Sequence, residues 1–90
     1  MEWKKLQLTD QYDWEIQYDV MAFSGSLTIG RLVYSTKYGW QSIIDGDVEC
    51  LYDAETEEDA KRDFKVMLEN YLEDKLNYYS ELCSMLKELD

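Results

Sequence analysis

The run Trp40-Gln41-Ser42-Ile43-Ile44-Asp45-Gly46-Asp47-Val48-Glu49-Cys50-Leu51-Tyr52-Asp53-Ala54-Glu55-Thr56-Glu57-Glu58-Asp59-Ala60 contains both signals that decide the fold. Asp45-Gly46 lies between two short apolar stretches, residues 40–44 and 48–52. A two-residue hairpin turn needs positive φ, which Gly adopts without steric cost, so the pair predicts a β-hairpin. At Thr56 the period changes. Thr at the N-cap, an acid three residues later and three carboxylates at the positive end of the helix dipole predict a helix start.

Downstream of that start the pattern is helical throughout. From Ala60 the apolar positions are Phe64, Met67, Leu68, Tyr71, Leu72, Leu76, Tyr78, Tyr79, Leu82, Cys83, Met85, Leu86 and Leu89, with no Gly or Pro among them. A helix over 56–89 spans roughly 50 Å, whereas strands of six to ten residues cover about 20–33 Å. The helix therefore either breaks near the polar residues 73–77 and folds back, or runs straight and overhangs its sheet. Phe64, Leu68, Tyr71, Lys75, Tyr78, Leu82, Met85 and Leu89 alternate steps of four and three, a coiled-coil-like seam. Leu72, Leu76, Tyr79, Cys83 and Leu86 form a second stripe beside it. So wide an apolar face must be covered on both sides. Packing within the chain and homodimerisation through Tyr78, Leu82, Met85, Leu86 and Leu89 are the two ways to do so.

Upstream, the signals are strands and turns. Residues 3–8 read as a first strand and 9–13 as a polar turn. Over 14–23, Trp14, Ile16, Tyr18, Val20 and Ala22 share one face while Glu15, Gln17 and Asp19 point the other way. Ser24-Gly25-Ser26 turns the chain into a third strand over 27–34, where Gly30 marks a bulge or a close backbone approach. A turn over 35–39 leads into the hairpin. The expected architecture is α+β: one domain over 1–90, with an antiparallel sheet of four to five strands in 1–53 packed by one long helical segment, 56–89.

Ninety residues bury one thin core, which three Trp, eight Tyr and two Phe make feasible. The opening Met1-Glu2-Trp3-Lys4-Lys5-Leu6 lacks the apolar run of a signal peptide, and no stretch approaches a membrane span. The expected location is the cytoplasm, of a bacterial host cell on the resemblance given below. Cys50 and Cys83 lack metal-type spacing and are expected to be reduced core residues.

The chemistry of catalysis finds little footing. With no histidine there is no Ser-His-Asp or Cys-His arrangement and no His-ligated zinc. Phosphate-cradling glycine motifs are absent. A calcium-loop register starting at Asp45 would need Gly and Glu where Cys50 and Thr56 stand, so neither a metal nor another cofactor is expected. A paired-carboxylate hydrolase is the remaining enzyme reading, and a domain this small offers little room for a sugar cleft. The expectation is a binding protein.

Charge is the most informative feature. Twenty carboxylates against nine basic residues give −11, which disfavours direct contact with nucleic acid or anionic membranes and favours a basic partner. Between Lys37 and Lys61 no base occurs, and eight acids do: Asp45, Asp47, Glu49, Asp53, Glu55, Glu57, Glu58 and Asp59. Asp10, Asp13, Glu15 and Asp19 add a further one-signed stretch, so much of the sheet is expected to be negative. A compact chain of this mass has about 500 Å² of surface per net charge against roughly 100 Å² on duplex DNA, so mimicry of DNA by the whole molecule fails. A local patch of Asp45, Asp47, Glu49, Asp53, Glu55, Glu57 and Glu58 is the candidate partner-binding site.

Three phrases carry a resemblance: Ile29-Gly30-Arg31-Leu32-Val33-Tyr34, Gly39-Trp40, and Thr56-Glu57-Glu58-Asp59-Ala60-Lys61. Over residues 14–72 the chain resembles small phage and prophage proteins with a three- to five-stranded antiparallel sheet followed by a helix. That group includes anti-CRISPR inhibitors, acidic plugs for nucleic-acid-binding machines. The resemblance implies a basic nucleic-acid-binding protein, such as a CRISPR effector complex, as partner. The long C-terminal helical extension departs from the pattern, and no site residue is carried over by it.

Overall fold

A computed structural model of the chain describes residues 1–6 and 14–87. Asp45 and Gly46 both adopt left-handed backbone, φ 53° and 81°, which twists the hairpin they close in the sense that its strands require. That hairpin joins the last two of five strands: β1 (Glu2–Lys5), β2 (Ile16–Ala22), β3 (Leu27–Ser35), β4 (Gly39–Ile44) and β5 (Asp47–Cys50). Each pairs antiparallel with its sequence neighbour, giving one meander in the order β1-β2-β3-β4-β5. Of the strand expected over 3–8, residues 7 and 8 lie outside the described residues. The turn expected over 9–13, together with Asp10 and Asp13, lies outside the described residues.

The helix α1 (Glu57–Leu86) follows after a short connection. Thr56 is extended and its hydroxyl accepts a hydrogen bond from the Asp59 backbone N–H at 3.1 Å, satisfying one of the free donors of the first turn. The helix is continuous through residues 73–77; it neither breaks nor folds back. It lies over β3 and β4 and buries Ala60, Phe64 and Leu68 against Tyr18, Val20, Leu32, Trp40, Ile44 and Leu51.

Gly30 shows why that packing is so close. A Cβ at this position would stand 2.7 Å from the Phe64 ring, so only glycine lets the helix approach. Both readings of Gly30 hold at once. The β2–β3 register shifts between Val20, opposite Gly30, and Met21, opposite Thr28, leaving Ile29 as the extra residue of a bulge beside the contact.

The face of the sheet turned away from α1 departs from expectation. Gln17 and Asp19, which alternation places outward, are buried. Asp19 meets Arg31 directly across the β2–β3 ladder at 3.1 Å and accepts a 3.1 Å hydrogen bond from the Gln17 amide. Its charge is thus paired, and this part of the sheet is not the one-signed surface that the acid count implied. Across the ladder from Gln17, Val33 is fully buried. No helix among the described residues is long and apolar enough to cross a membrane.

Candidate partner-binding surfaces

The acidic run is drawn out along an edge. Asp45 forms the β4–β5 turn, and Asp47 and Glu49 sit on β5, opposite Ile44 and Ser42 and hence on the helix-facing side of the edge strand. Asp53 and Glu55 follow in the connection, and Glu57 and Glu58 open α1. The helix then runs back toward the hairpin, so that Tyr71 meets Asp45. Glu57 and Tyr71 are about 21 Å apart along the axis. The two ends of the run are therefore not neighbours but the ends of a strip.

Its members also differ in freedom. Glu57 accepts a 2.8 Å hydrogen bond from the Tyr18 hydroxyl and lies 3.8 Å from Lys61. That carboxylate, with burial adding to it, raises the Tyr18 pKa above its ordinary 10.0. Asp59 is taken by Arg62 at 3.0 Å. The Asp45 carboxylate beside the Tyr71 hydroxyl raises the Tyr71 pKa above its ordinary 10.0. Asp47, Glu49, Asp53, Glu55 and Glu58 remain exposed toward solvent. Two groups that the sequence reading passed over join them. Asp74 of α1 lines a polar cleft of 280 Å³ with Asp47, Glu49, Asn70 and Tyr71, and Asp63 lies seven residues before Asn70 on the same helix face. Tyr52, 90% exposed, adds an aromatic ring to the strip. Finding Asp63 and Asp74 required knowing that α1 returns past β5.

The opposite flank carries the bases. Lys4 and Lys5 are on β1, and Lys61 and Lys65 face that side of the helix. The Lys61 ammonium lies 4.1 Å from the Tyr18 ring centroid and 5.3 Å from that of Trp3, which in turn packs on Phe64 at 5.6 Å. This flank is mixed in sign, for Glu58 lies here with Trp3, Lys61 and Lys65 and not on the β5 side, and Glu2, Glu69 and Glu73 line the same clefts. Beside β1 an apolar groove of 550 Å³ runs between Trp3, Val20, Phe64, Leu68, Leu72 and Leu76.

The second surface is the far half of α1. Beyond Tyr71 the helix leaves the sheet, and Leu72, Leu76, Tyr78, Tyr79, Leu82, Met85 and Leu86 are exposed. At 100° per residue Tyr78, Leu82, Met85 and Leu86 continue the stripe that Phe64 and Leu68 bury, so the core-facing side simply runs past the core. Of the residues expected at a dimer face, Tyr78, Leu82, Met85 and Leu86 are thus available, and Leu89 lies outside the described residues. Leu72 and Leu76 join them and connect this surface to the apolar groove. Cys83 is exposed here, contrary to the buried position expected of it, while Cys50 is half-buried; both are free. The shape reflects the overhang: the extents are 55 × 28 × 22 Å and the radius of gyration is 16.0 Å, against about 12 Å for a compact chain of this length.

Comparison with known protein families, curated proteins and solved structures gave no match, so both surfaces are interpreted from their own residues.

Proposed function

We propose that this chain is a non-catalytic acidic binding protein, an inhibitor of phage type that covers a basic nucleic-acid-binding surface of a host complex. The observation that carries this reading is the β5 flank. Asp45, Asp47, Glu49, Asp53 and Glu55, with Asp63 and Asp74 from the adjoining helix face, form a strip, and the chain carries no Lys or Arg between Lys37 and Lys61. Such a strip draws in a basic groove from a distance and neutralises the Arg and Lys side chains that otherwise hold phosphates. Tyr52 supplies a rigid ring among the charges, the residue type that anchors protein interfaces. A CRISPR effector complex is the target class that the resemblance suggests.

The test is DNA binding by a panel of purified CRISPR effector complexes with and without the protein. We expect at least one to lose DNA binding, with protection falling as salt rises. A variant carrying Asp47→Lys, Glu49→Lys, Asp53→Lys and Glu55→Lys should no longer protect while its circular dichroism is unchanged. These four positions spare the Asp45 turn and the Glu57 contact with Tyr18. Full potency in this variant overturns the reading.

A second reading, a small phage structural or assembly protein that homodimerises through its helix, is favoured by one separate observation. Seven large apolar side chains stand exposed on the half of α1 that has left the sheet. An assembly partner in place of a nucleic-acid-binding target would identify it.

A further inference from the structure

We infer that the overhanging half of α1 pairs with the same segment of a second copy of this chain, antiparallel and centred on Tyr79. The inference rests on the self-association in the second reading and adds its direction and register, and it is equally compatible with an inhibitor.

The spacing of the exposed stripe is the first reason. Leu72, Leu76, Tyr79, Leu82 and Leu86 stand seven and three residues before Tyr79 and three and seven after it. A two-fold axis through Tyr79 therefore sets Leu72 against the partner copy's Leu86, and Leu76 against its Leu82, in both directions at once. This is the self-complementarity that an isologous interface requires. A partner of unrelated sequence has no need of a stripe symmetric about its centre.

Charge is the second reason. The chain carries −11 in all, yet residues 72–87 hold only Glu73, Asp74 and Glu81 against Lys75 and Lys87, a net −1. The largest share of the remaining charge, ten acids against four bases, lies in residues 1–56. Antiparallel pairing sends the two sheets to opposite ends, whereas parallel pairing would set them side by side. Within the antiparallel register Lys87 of one copy falls beside Glu69 and Glu73 of the other, on the same flank of the helix pair. Lys75, the polar residue of the seam, is already occupied by the Tyr71 and Tyr78 rings, 5.6 and 5.8 Å from their centroids.

Extent is the third. The stripe is 15 residues long, about 22 Å. A helix that short is marginal in water without a packed face. Seven side chains between 41% and 70% exposed offer on the order of 800 Å² per chain, the share each partner contributes to a standard interface. The apolar groove beside β1 opens onto Leu72 and Leu76, so the partner's last turn continues from the helix seam toward that groove.

Sedimentation equilibrium of the full chain at micromolar concentrations tests the pairing. The wild type is expected at twice the 10.8 kDa chain mass, and a variant carrying Leu76→Glu and Leu82→Glu at the chain mass with unchanged circular dichroism. Lys87→Glu should weaken the dimer severalfold. A monomeric wild type overturns the inference and self-association with it. Direction is read by disulfide trapping in a background with Cys50→Ser and Cys83→Ser. Leu72→Cys should cross-link to Leu86→Cys on mixing and not to itself. Self-cross-linking of Leu72→Cys would overturn the antiparallel register while leaving a homodimer standing.

Discussion

The two halves of α1 carry much the same apolar stripe and meet opposite fates. Residues 57–71 press Ala60, Phe64 and Leu68 into the sheet, with Phe64 fully buried, whereas over residues 72–86 the same stripe is exposed, Met85 to 57%. Helical periodicity states that a face must be covered and says nothing of what covers it. In the first half the cover is the sheet's own core. In the second no element among the described residues covers it. One helix is thus a folding element for half its length and an uncovered apolar face over the other half.

Substitutions sharpen this contrast. Phe64→Ala removes the ring that fills the space above Gly30 and should cost about 3–5 kcal/mol in urea unfolding, enough to threaten so small a domain. Leu82→Ala, made beside Leu76→Glu and compared with Leu76→Glu alone at a concentration where both sediment at the chain mass, should change stability by no more than about 0.5 kcal/mol. Equal costs in the two halves would mean that the overhang is packed after all. Gly30→Ala attacks the first half from the sheet side and should cost about 1–3 kcal/mol, because the new methyl meets a ring held in the core. Thr56→Ala, which deprives the Asp59 N–H of its acceptor, should cost about 1 kcal/mol.

The smallest effect is a pH dependence confined to the packed half. Tyr18 donates to Glu57, so its folded-state pKa is raised above the ordinary 10.0 and the unfolded chain releases this proton first. The contribution is fully present below pH 10.0 and is lost as pH rises through the folded value. Glu57→Gln keeps an acceptor but removes the charge, and should flatten the alkaline limb of a stability-against-pH curve. An unchanged limb would show that Glu57 does not govern it.

Much of this was legible in the sequence, for physical reasons that can be named. Asp45-Gly46 reads as a turn because few residues accept its backbone. Thr56 reads as a cap because a hydroxyl there has one donor to satisfy. Gly30 reads as a bulge or a close backbone approach, and the fold contains both, the approach being that of Phe64. What escaped was whatever depends on two distant elements meeting. Asp19 looked exposed by alternation, and only the β2–β3 register sets Arg31 across from it. The acids from Asp45 to Glu58 looked like one patch, because adjacency in the chain does not reveal a helix that starts at one end of the strip and returns to the other. Asp63 and Asp74 belong to the same flank for that reason and carry no local signal. Cys83 looked like core because its neighbours in the stripe are apolar, and apolar periodicity is blind to where a sheet ends.

The meander has a consequence for how the chain acquires its structure. Every strand of the sheet pairs with its neighbour in sequence, so its ladders form across short loops and close at small entropic cost. All five strands lie before residue 51, and the helix is the last element to be synthesised among them. Zipping of the hairpins can run ahead of α1, leaving Leu32 and Trp40 waiting for a lid. Closure of Phe64 over Gly30 as the last step would give Phe64→Ala a φ-value near zero and substitutions within the hairpins larger ones.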